Sequence, residues 1–191
     1  MSEDGHKRDE FRPPRPLTCV ELIASLAGAQ HGVVSYEQLR AAGRSRQAIN
    51  RLRASGYLHR VRPRVYAVGH RALSAEGIRV AASLSVRGGS PIARYSAGAQ
   101  LALTRRKPRH GLVEVAVPTR ECGRRTDVKI VRLASLDPDD LIVERGVLCT
   151  SVARTLVDLA AVLSEHDLAK AVREAEFQRR LDRDAIARIL A

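Results

Sequence analysis

The chain has 191 residues, enough for one large or two small domains with a buried core, and it carries a formal net charge of +12. Its three cysteines are far apart and form no C-x-x-C pair, and no apolar run approaches the 18 or so residues of a membrane span, which excludes a disulfide scaffold and an integral membrane protein. The N-terminus lacks the apolar region of a secretory signal, so we expect a cytoplasmic protein with no membrane partner.

The charge is unevenly distributed along the chain. Residues 1–133 hold 25 basic and 10 acidic residues, whereas residues 134–191 hold 8 basic and 11 acidic residues. A basic front and a mildly acidic back predict two surfaces with different partners.

The N-terminal third has the pattern of a helix-turn-helix. We expect the charged, proline-rich residues 1–16 to form a flexible tail, followed by a helix from about Cys19 to Gln30. A second helix begins after Ser35, which forms a capping box with Gln38, and it ends near Gly43. A third helix is capped by Ser45 and ends near Gly56.

The third helix has one apolar and one polar face. The apolar face holds Ala48, Ile49 and Leu52. The polar face holds Arg46, Gln47, Asn50 and Arg51. Arginine can bond guanine, and asparagine or glutamine can bond adenine, in a bidentate way. Two short β-branched segments follow, joined by Arg62-Pro63-Arg64, which predicts a hairpin wing with a basic tip.

The charge on this segment indicates a nucleic-acid surface. Residues 38–75 contain nine arginines and no acidic residue, so we predict that residues 17–70 form a winged helix-turn-helix that binds duplex DNA. The predicted DNA-binding residues are Arg44, Ser45, Arg46, Gln47, Asn50, Arg51, Arg60, Arg62 and Arg64. Phosphate contacts are expected from Arg44, Arg60, Arg62 and Arg64. The alternatives are a solvated arginine-rich face and an RNA surface, and the 3% aromatic content disfavours RNA.

Residues 71–191 have a mixed pattern. A helix capped by Ser74 runs to about Val86, with Ile78, Ala81 and Leu84 as its apolar positions, and a short helix rich in small residues follows at about 95–103. Alternating segments at 112–118, 128–133 and 141–149 predict a small mixed sheet of three or four strands. Ser151, Ser164 and Asp182 begin three further helices. The predicted fold class is α+β, a winged helix followed by a small mixed sheet flanked by helices.

The sequence gives no strong sign of an enzyme. Pro138-Asp139-Asp140 followed by Glu144 resembles the start of a metal-dependent nuclease motif, but that motif needs a lysine two residues after the glutamate, where Gly146 stands. We therefore predict no catalytic residue, no metal site and no cofactor. Two basic loops, 104–110 and 120–125, are either solvated or contact a partner, and both interpretations stay open.

Four stretches resemble the AbiEi-type antitoxins of type IV toxin–antitoxin, or abortive-infection, systems. They are residues 31–43, 45–70, 114–118 and 150–163. The resemblance is to the actinobacterial form without the nuclease-like C-terminal domain, although the chain lacks the tryptophan that many relatives carry near the small-residue helix.

The resemblance implies a function for each half. The winged helix would bind an operator, expected to be an inverted repeat, and repress its own operon. Residues 71–191 would form an antitoxin-type domain that counters a cognate nucleotidyltransferase toxin, with direct contact left open. The alternative function is a DNA-targeting module, or a remnant of a nuclease system, without catalysis of its own.

Overall fold

The structure is mixed helix and sheet, which confirms the α+β prediction. The computed structural model describes residues 18–86, 89–107, 110–118 and 126–191, with the backbone alone at Cys19. The predicted tail at 1–16 and the predicted basic loop at 120–125 lie outside the described residues.

Residues 18–69 form three helices and a three-stranded antiparallel sheet. The helices are α1 (Cys19–Ala29), α2 (Tyr36–Ala41) and α3 (Arg46–Ala54). The strands are β1 (Val33–Ser35), β2 (Leu58–Arg62) and β3 (Val65–Val68), in the order β1-β3-β2. The three helices and the wing hairpin were predicted. Strand β1 was not predicted, because three residues are too few to show an alternating pattern.

Local capping explains where the helices begin and end. The Ser35 hydroxyl accepts from the Gln38 amide at 3.1 Å, and the Gln38 side chain accepts from the Ser35 amide at 2.8 Å, so the predicted capping box is confirmed. Ser45 caps α3 in the same way, through the Ala48 amide at 3.1 Å. Gly43 and Gly56 follow α2 and α3 with φ of 78° and 75°, a backbone region in which a Cβ is unfavourable.

The three-stranded sheet is covered on both faces. Val34 and Tyr66 face a core with Ile23, Leu39 and Ile49 from α1, α2 and α3. Their neighbours Val33 and Val65 face the opposite way and belong to the main core, with residues from the C-terminal half. The winged helix and the rest of the molecule therefore share buried apolar surface.

Nine helices and strands and a short turn follow in the described residues after Gly69. They are α4 (Ala75–Ser85), α5 (Arg94–Gln100), β4 (Glu114–Pro118), β5 (Lys129–Leu133), a 3₁₀ turn (Pro138–Asp140), β6 (Leu141–Glu144), β7 (Val147–Thr150), α6 (Val152–Ala160), α7 (Glu165–Phe177) and α8 (Arg183–Leu190). The predicted N-caps Ser74, Ser151, Ser164 and Asp182 each accept from the backbone of the helix they begin. One predicted core position in α4 is wrong, because Ile78 is 45% exposed while Val80 is buried.

The C-terminal strands form two pairs. Strands β4 and β5 pair in parallel, and β6 and β7 form an antiparallel hairpin. Ile92 joins the pairs: its amide donates to the Leu148 carbonyl, and its own carbonyl accepts from the Thr150 amide, both at 3.0 Å. It also bridges to Val115 of β4. The two pairs therefore belong to one small mixed sheet, as predicted, and the connection through Ile92 was not predicted because this residue lies outside any regular strand.

Two glycines mark close backbone approaches. A Cβ at Gly98 in α5 would lie 2.8 Å from Thr104 Cγ2 and 3.2 Å from Leu159 Cδ1, which confirms the close packing predicted for the small-residue helix. A Cβ at Gly146 would lie 2.7 Å from the Ala29 carbonyl oxygen. The β6–β7 turn is thus pressed against the end of α1, where His31 Nε2 also lies 2.6 Å from the Arg145 carbonyl oxygen.

A buried ion-pair network stabilises the C-terminal half. Arg154 of α6 lies 3.1 Å from Asp140 Oδ2 and 3.1 Å from Asp158 Oδ1, and all three side chains are at most 8% exposed. Burial raises the pKa of Asp158, and the charge of Arg154 acts in the opposite direction. Buried charges persist when they are paired, so this arginine has a structural role.

Candidate nucleic-acid interface

Helix α3 presents its polar side chains to solvent. Ile49 is 1% exposed and packs in the core formed by α1, α2 and the sheet, whereas Arg46, Gln47, Asn50 and Arg51 are all exposed. The helix is therefore oriented by its apolar face, as the spacing predicted. No carboxylate lies within ion-pair distance of Arg46 or Arg51 among the described residues.

The side chains of α3 are free to contact a ligand. Asn50 Oδ1 accepts a long hydrogen bond from Arg53 NH1 at 3.5 Å, and the Arg53 guanidinium lies 6.0 Å from the centre of the Tyr66 ring. A helix with an exposed Arg, Gln and Asn set suits the major groove, where base edges carry a distinct donor and acceptor code.

The N-terminal end of α3 holds Arg44 and Ser45. The Ser45 hydroxyl caps the helix, so its contact with DNA would use the lone pairs that capping leaves. Arg44 is half-buried, and its Nε has no hydrogen-bond partner among the described residues. Both residues stand beside the reading face, where backbone phosphates are contacted in winged helices.

The tip of the wing is a tight turn that is held against the start of α2. Pro63 and Arg64 form its two-residue turn, and Arg64 adopts a φ of 60°. The Arg64 carbonyl accepts from the Tyr36 amide at 2.7 Å, which ties the tip to the start of α2. The Arg64 side chain also contacts α2. Its Nε donates to Glu37 Oε1 at 2.6 Å, and its guanidinium lies 4.6 Å from the centre of the Tyr36 ring.

The three wing arginines have different surroundings. Arg60 is exposed on β2. Arg62 has a side chain only 17% exposed, and its NH1 donates to the Asp127 carbonyl at 2.6 Å and to the Asp127 carboxylate at 3.0 Å. Arg60 and Arg62 both lie on β2 and were predicted to bind phosphate. Arg60 is accessible to solvent, whereas Arg62 joins the wing to the C-terminal half.

The carboxylates considered for nuclease chemistry are each bound by an arginine. Asp140 pairs with Arg154, Asp139 lies 3.4 Å from Arg188, and Glu144 lies 2.9 Å from Arg180. No group of three or more potential metal ligands gathers within the described ranges. None of the described helices is long and apolar enough to cross a membrane.

The basic loop at 104–110 is partly described. Arg106 lies 2.9 Å from Asp167 of α7, so this cation is paired with the C-terminal helices. Cys149, on β7, is buried, and burial raises the pKa of its thiol to about 11, so it is protonated at neutral pH and unsuited to act as a nucleophile.

The chain matches one family model over the segment that forms this interface. The family is described as a transcriptional regulator, the AbiEi antitoxin, and the match covers residues 21–69. These residues run from α1 to the end of the wing, so the AbiEi-type resemblance of the sequence is confirmed there. No curated protein matches the chain.

Proposed function

We propose that this chain, with the winged helix of an AbiEi antitoxin transcriptional regulator, binds a specific operator and represses its own operon. The observation that carries the proposal is the division of α3 into a buried face around Ile49 and an exposed face of Arg46, Gln47, Asn50 and Arg51. Arginine, glutamine and asparagine can all make bidentate contacts with bases.

Phosphate contacts would position the protein on the duplex. Arg44 and Arg60 flank the reading face, and Arg64 is 63% exposed despite its pairing with Glu37. Because the chain carries +12 overall, the whole molecule attracts an anionic duplex, and the exposed arginines fix its register.

The C-terminal half would counter a cognate nucleotidyltransferase toxin, as the family resemblance implies. This part lies outside the matched segment and has its own helices and strands. Within it, residues 134–191 hold 8 basic and 11 acidic residues, unlike the basic winged helix, which favours a separate partner for this last segment. Catalysis by the chain itself is not part of the proposal, because the candidate nuclease carboxylates are held in structural ion pairs.

The test of operator binding uses the full chain and the DNA upstream of its own gene. Fluorescence anisotropy is measured on this duplex and on a shuffled duplex, over a range of salt concentrations. About four to seven phosphate contacts predict a log–log slope of roughly −4 to −6. Equal affinity for both duplexes contradicts operator recognition, and a slope near zero contradicts phosphate contact.

The antitoxin role has its own test. The full chain is co-expressed with the product of the neighbouring gene, and growth is scored beside a promoter reporter. Rescue of growth supports the antitoxin role. If the neighbouring product is not toxic, that role is rejected and the DNA-binding regulator remains.

A further inference from the structure

A pocket in the C-terminal half combines cationic side chains with an apolar wall. It encloses about 600 Å³ and is formed by the start of α5, the starts of β4 and β5, the loop after α5, and the α6–α7 connection. This volume falls within the range of small-molecule sites, roughly 300–1,000 Å³. None of the proposed DNA-contacting residues lines it.

Four permanent cations and two carboxylates line the pocket. The cations are Arg94, Arg106, Lys107 and Lys129, and the carboxylates are Glu114 and Asp167. His110 Nε2 lies 3.8 Å from Glu114 Oε1. Among the described residues, Arg106 is paired with Asp167, whereas no carboxylate lies within ion-pair distance of Arg94, Lys107 or Lys129. With four cations and two carboxylates in its lining, the pocket has a net positive charge.

Arg94 is the least exposed of these cations, and its side chain lines the pocket. It occupies the first position of α5 with a φ of 47°, and its Nε is buried with no hydrogen-bond partner in the described part of the chain. A guanidinium forms strong charge-assisted hydrogen bonds with phosphate oxygens, so Arg94 is the first candidate to hold an anion in the pocket.

Lys129 and Glu114 face each other across the parallel strand pair. They are partners in the register of β4 and β5, so their side chains leave the sheet on the same side. Glu114 is 4% exposed, and its Oε2 accepts from the Tyr95 amide at 2.8 Å, which caps α5. Burial raises the pKa of Glu114, and its hydrogen bond from the Tyr95 amide and the nearby charge of Arg94 act in the opposite direction.

Apolar and aromatic side chains line the pocket together with the cations. They are Val162 and Leu163, with Tyr95, whose hydroxyl donates to the Val162 carbonyl at 3.0 Å. A lining that combines cations with apolar and aromatic groups suits a ligand with a phosphate end and a flat organic end.

We propose that this pocket binds a phosphorylated small molecule of the size of a nucleoside phosphate. Its phosphates lie against Arg94 and Lys129, and its organic part lies against Tyr95, Val162 and Leu163. The site is separate from the operator surface, so it gives the regulator a small-molecule ligand in addition to DNA.

The experiment is isothermal titration of the full chain with each of the four ribonucleoside triphosphates, with inorganic phosphate and with adenosine. We expect one triphosphate or more to bind with one site per chain, inorganic phosphate to bind more weakly, and adenosine not to bind. Lys129→Ala is expected to weaken triphosphate binding about tenfold, the effect of one lost charge-assisted hydrogen bond, and Arg94→Gln at least as much. The charge-matched control Arg173→Ala removes an exposed arginine of α7 that does not line the pocket, and it should bind normally.

Several outcomes overturn the proposal. Absence of binding for all four triphosphates does so, and so does a Lys129→Ala variant that binds as tightly as the parent. A 12-base-pair duplex serves as a competitor: if Lys129→Ala weakens only duplex binding, the cations contact a DNA backbone and the small-molecule site is rejected. Lys129 is exposed, so its variant decides the matter even if Arg94→Gln fails to fold.

Discussion

Arg51 on α3 and Arg154 on α6 are the same residue type in opposite environments. Arg51 is exposed on a helix face that holds three other polar residues, whereas the Arg154 side chain is 8% exposed and lies between Asp140 and Asp158. The first can meet a ligand, and the second holds the fold together. In a chain this rich in arginine, charge density alone does not identify a binding surface. The position of the nearest carboxylate does.

The largest expected effect is the loss of the buried arginine. Arg154→Met removes the nearest cation from two buried carboxylates, of which Asp140 keeps only Arg188 at 4.0 Å, and breaking such a buried pair costs about 3–5 kcal/mol of unfolding free energy. Urea denaturation measures it. The matched variant Arg51→Met should change stability by less than about 0.5 kcal/mol, because its side chain is exposed. Equal losses in the two variants would contradict the contrast.

The same variant should show a pH dependence. Burial raises the folded-state pKa of Asp158 above its ordinary 3.8, and removing Arg154 should raise it further. The folded chain then binds more protons than the unfolded chain above pH 3.8, so this group makes stability fall as pH rises. We expect the loss in Arg154→Met, relative to the parent, to be larger at pH 8 than at pH 5. A larger loss at pH 5 would rule out this assignment.

The next effect in size concerns the reading helix. Asn50→Ala and Arg51→Ala should each weaken operator binding by about 1–3 kcal/mol and binding to random DNA by much less. The physical reason is that base contacts discriminate between sequences whereas phosphate contacts do not. Anisotropy titrations on both duplexes measure the difference, with Arg173→Ala as the control. If both variants lose the same affinity on both duplexes, α3 does not read the bases.

The exposure of Arg62 lies between that of Arg51 and that of Arg154. A double-mutant cycle can measure how strongly Arg62 is held. Its side chain is 17% exposed and that of Asp127 is 30% exposed. The cycle of Arg62→Ala and Asp127→Ala in thermal unfolding should give a coupling energy of about 1 kcal/mol, more than a typical surface pair. A coupling energy near zero would mean that the Asp127 carboxylate does not hold Arg62, which would leave the backbone carbonyl of Asp127 as the contact that fixes this side chain.

The smallest effect is expected at the wing tip. Glu37 holds Arg64, so Glu37→Gln removes a negative charge from the surface and frees the guanidinium. We expect an increase of about twofold in affinity for random DNA at low salt, which disappears at high salt. Tyr57→Phe, a change in the same domain that alters no charge, serves as the control in the same anisotropy assay.

The winged helix was predictable because its signals are local in the sequence. Its long-range contacts were not predictable. Ser35 with Gln38 and the caps at Ser45 and Ser164 are contacts within three residues, so the sequence shows them directly. The pairing of Arg62 with Asp127 spans 65 residues, and nothing near either residue indicates it.

The candidate interface on α3 was predictable from local spacing, whereas the pocket in the C-terminal half was not. The face of α3 follows from helical spacing, and the structure has those residues exposed. The pocket was missed because its walls come from five separate segments, and Glu114 and Lys129 meet only through a parallel strand pairing. Parallel pairing between strands close in sequence leaves no alternation signal that distinguishes it from a hairpin.

The covered second face of the three-stranded sheet has a consequence for engineering. Val33 and Val65 are fully buried against the C-terminal half, and the tight fit at Gly146 fixes that half against α1. A DNA-binding module transplanted as residues 17–70 into another protein would carry a bare apolar face where this cover had been. A DNA-binding module that folds alone needs polar residues at positions 33 and 65, or must retain α4 to cover this face.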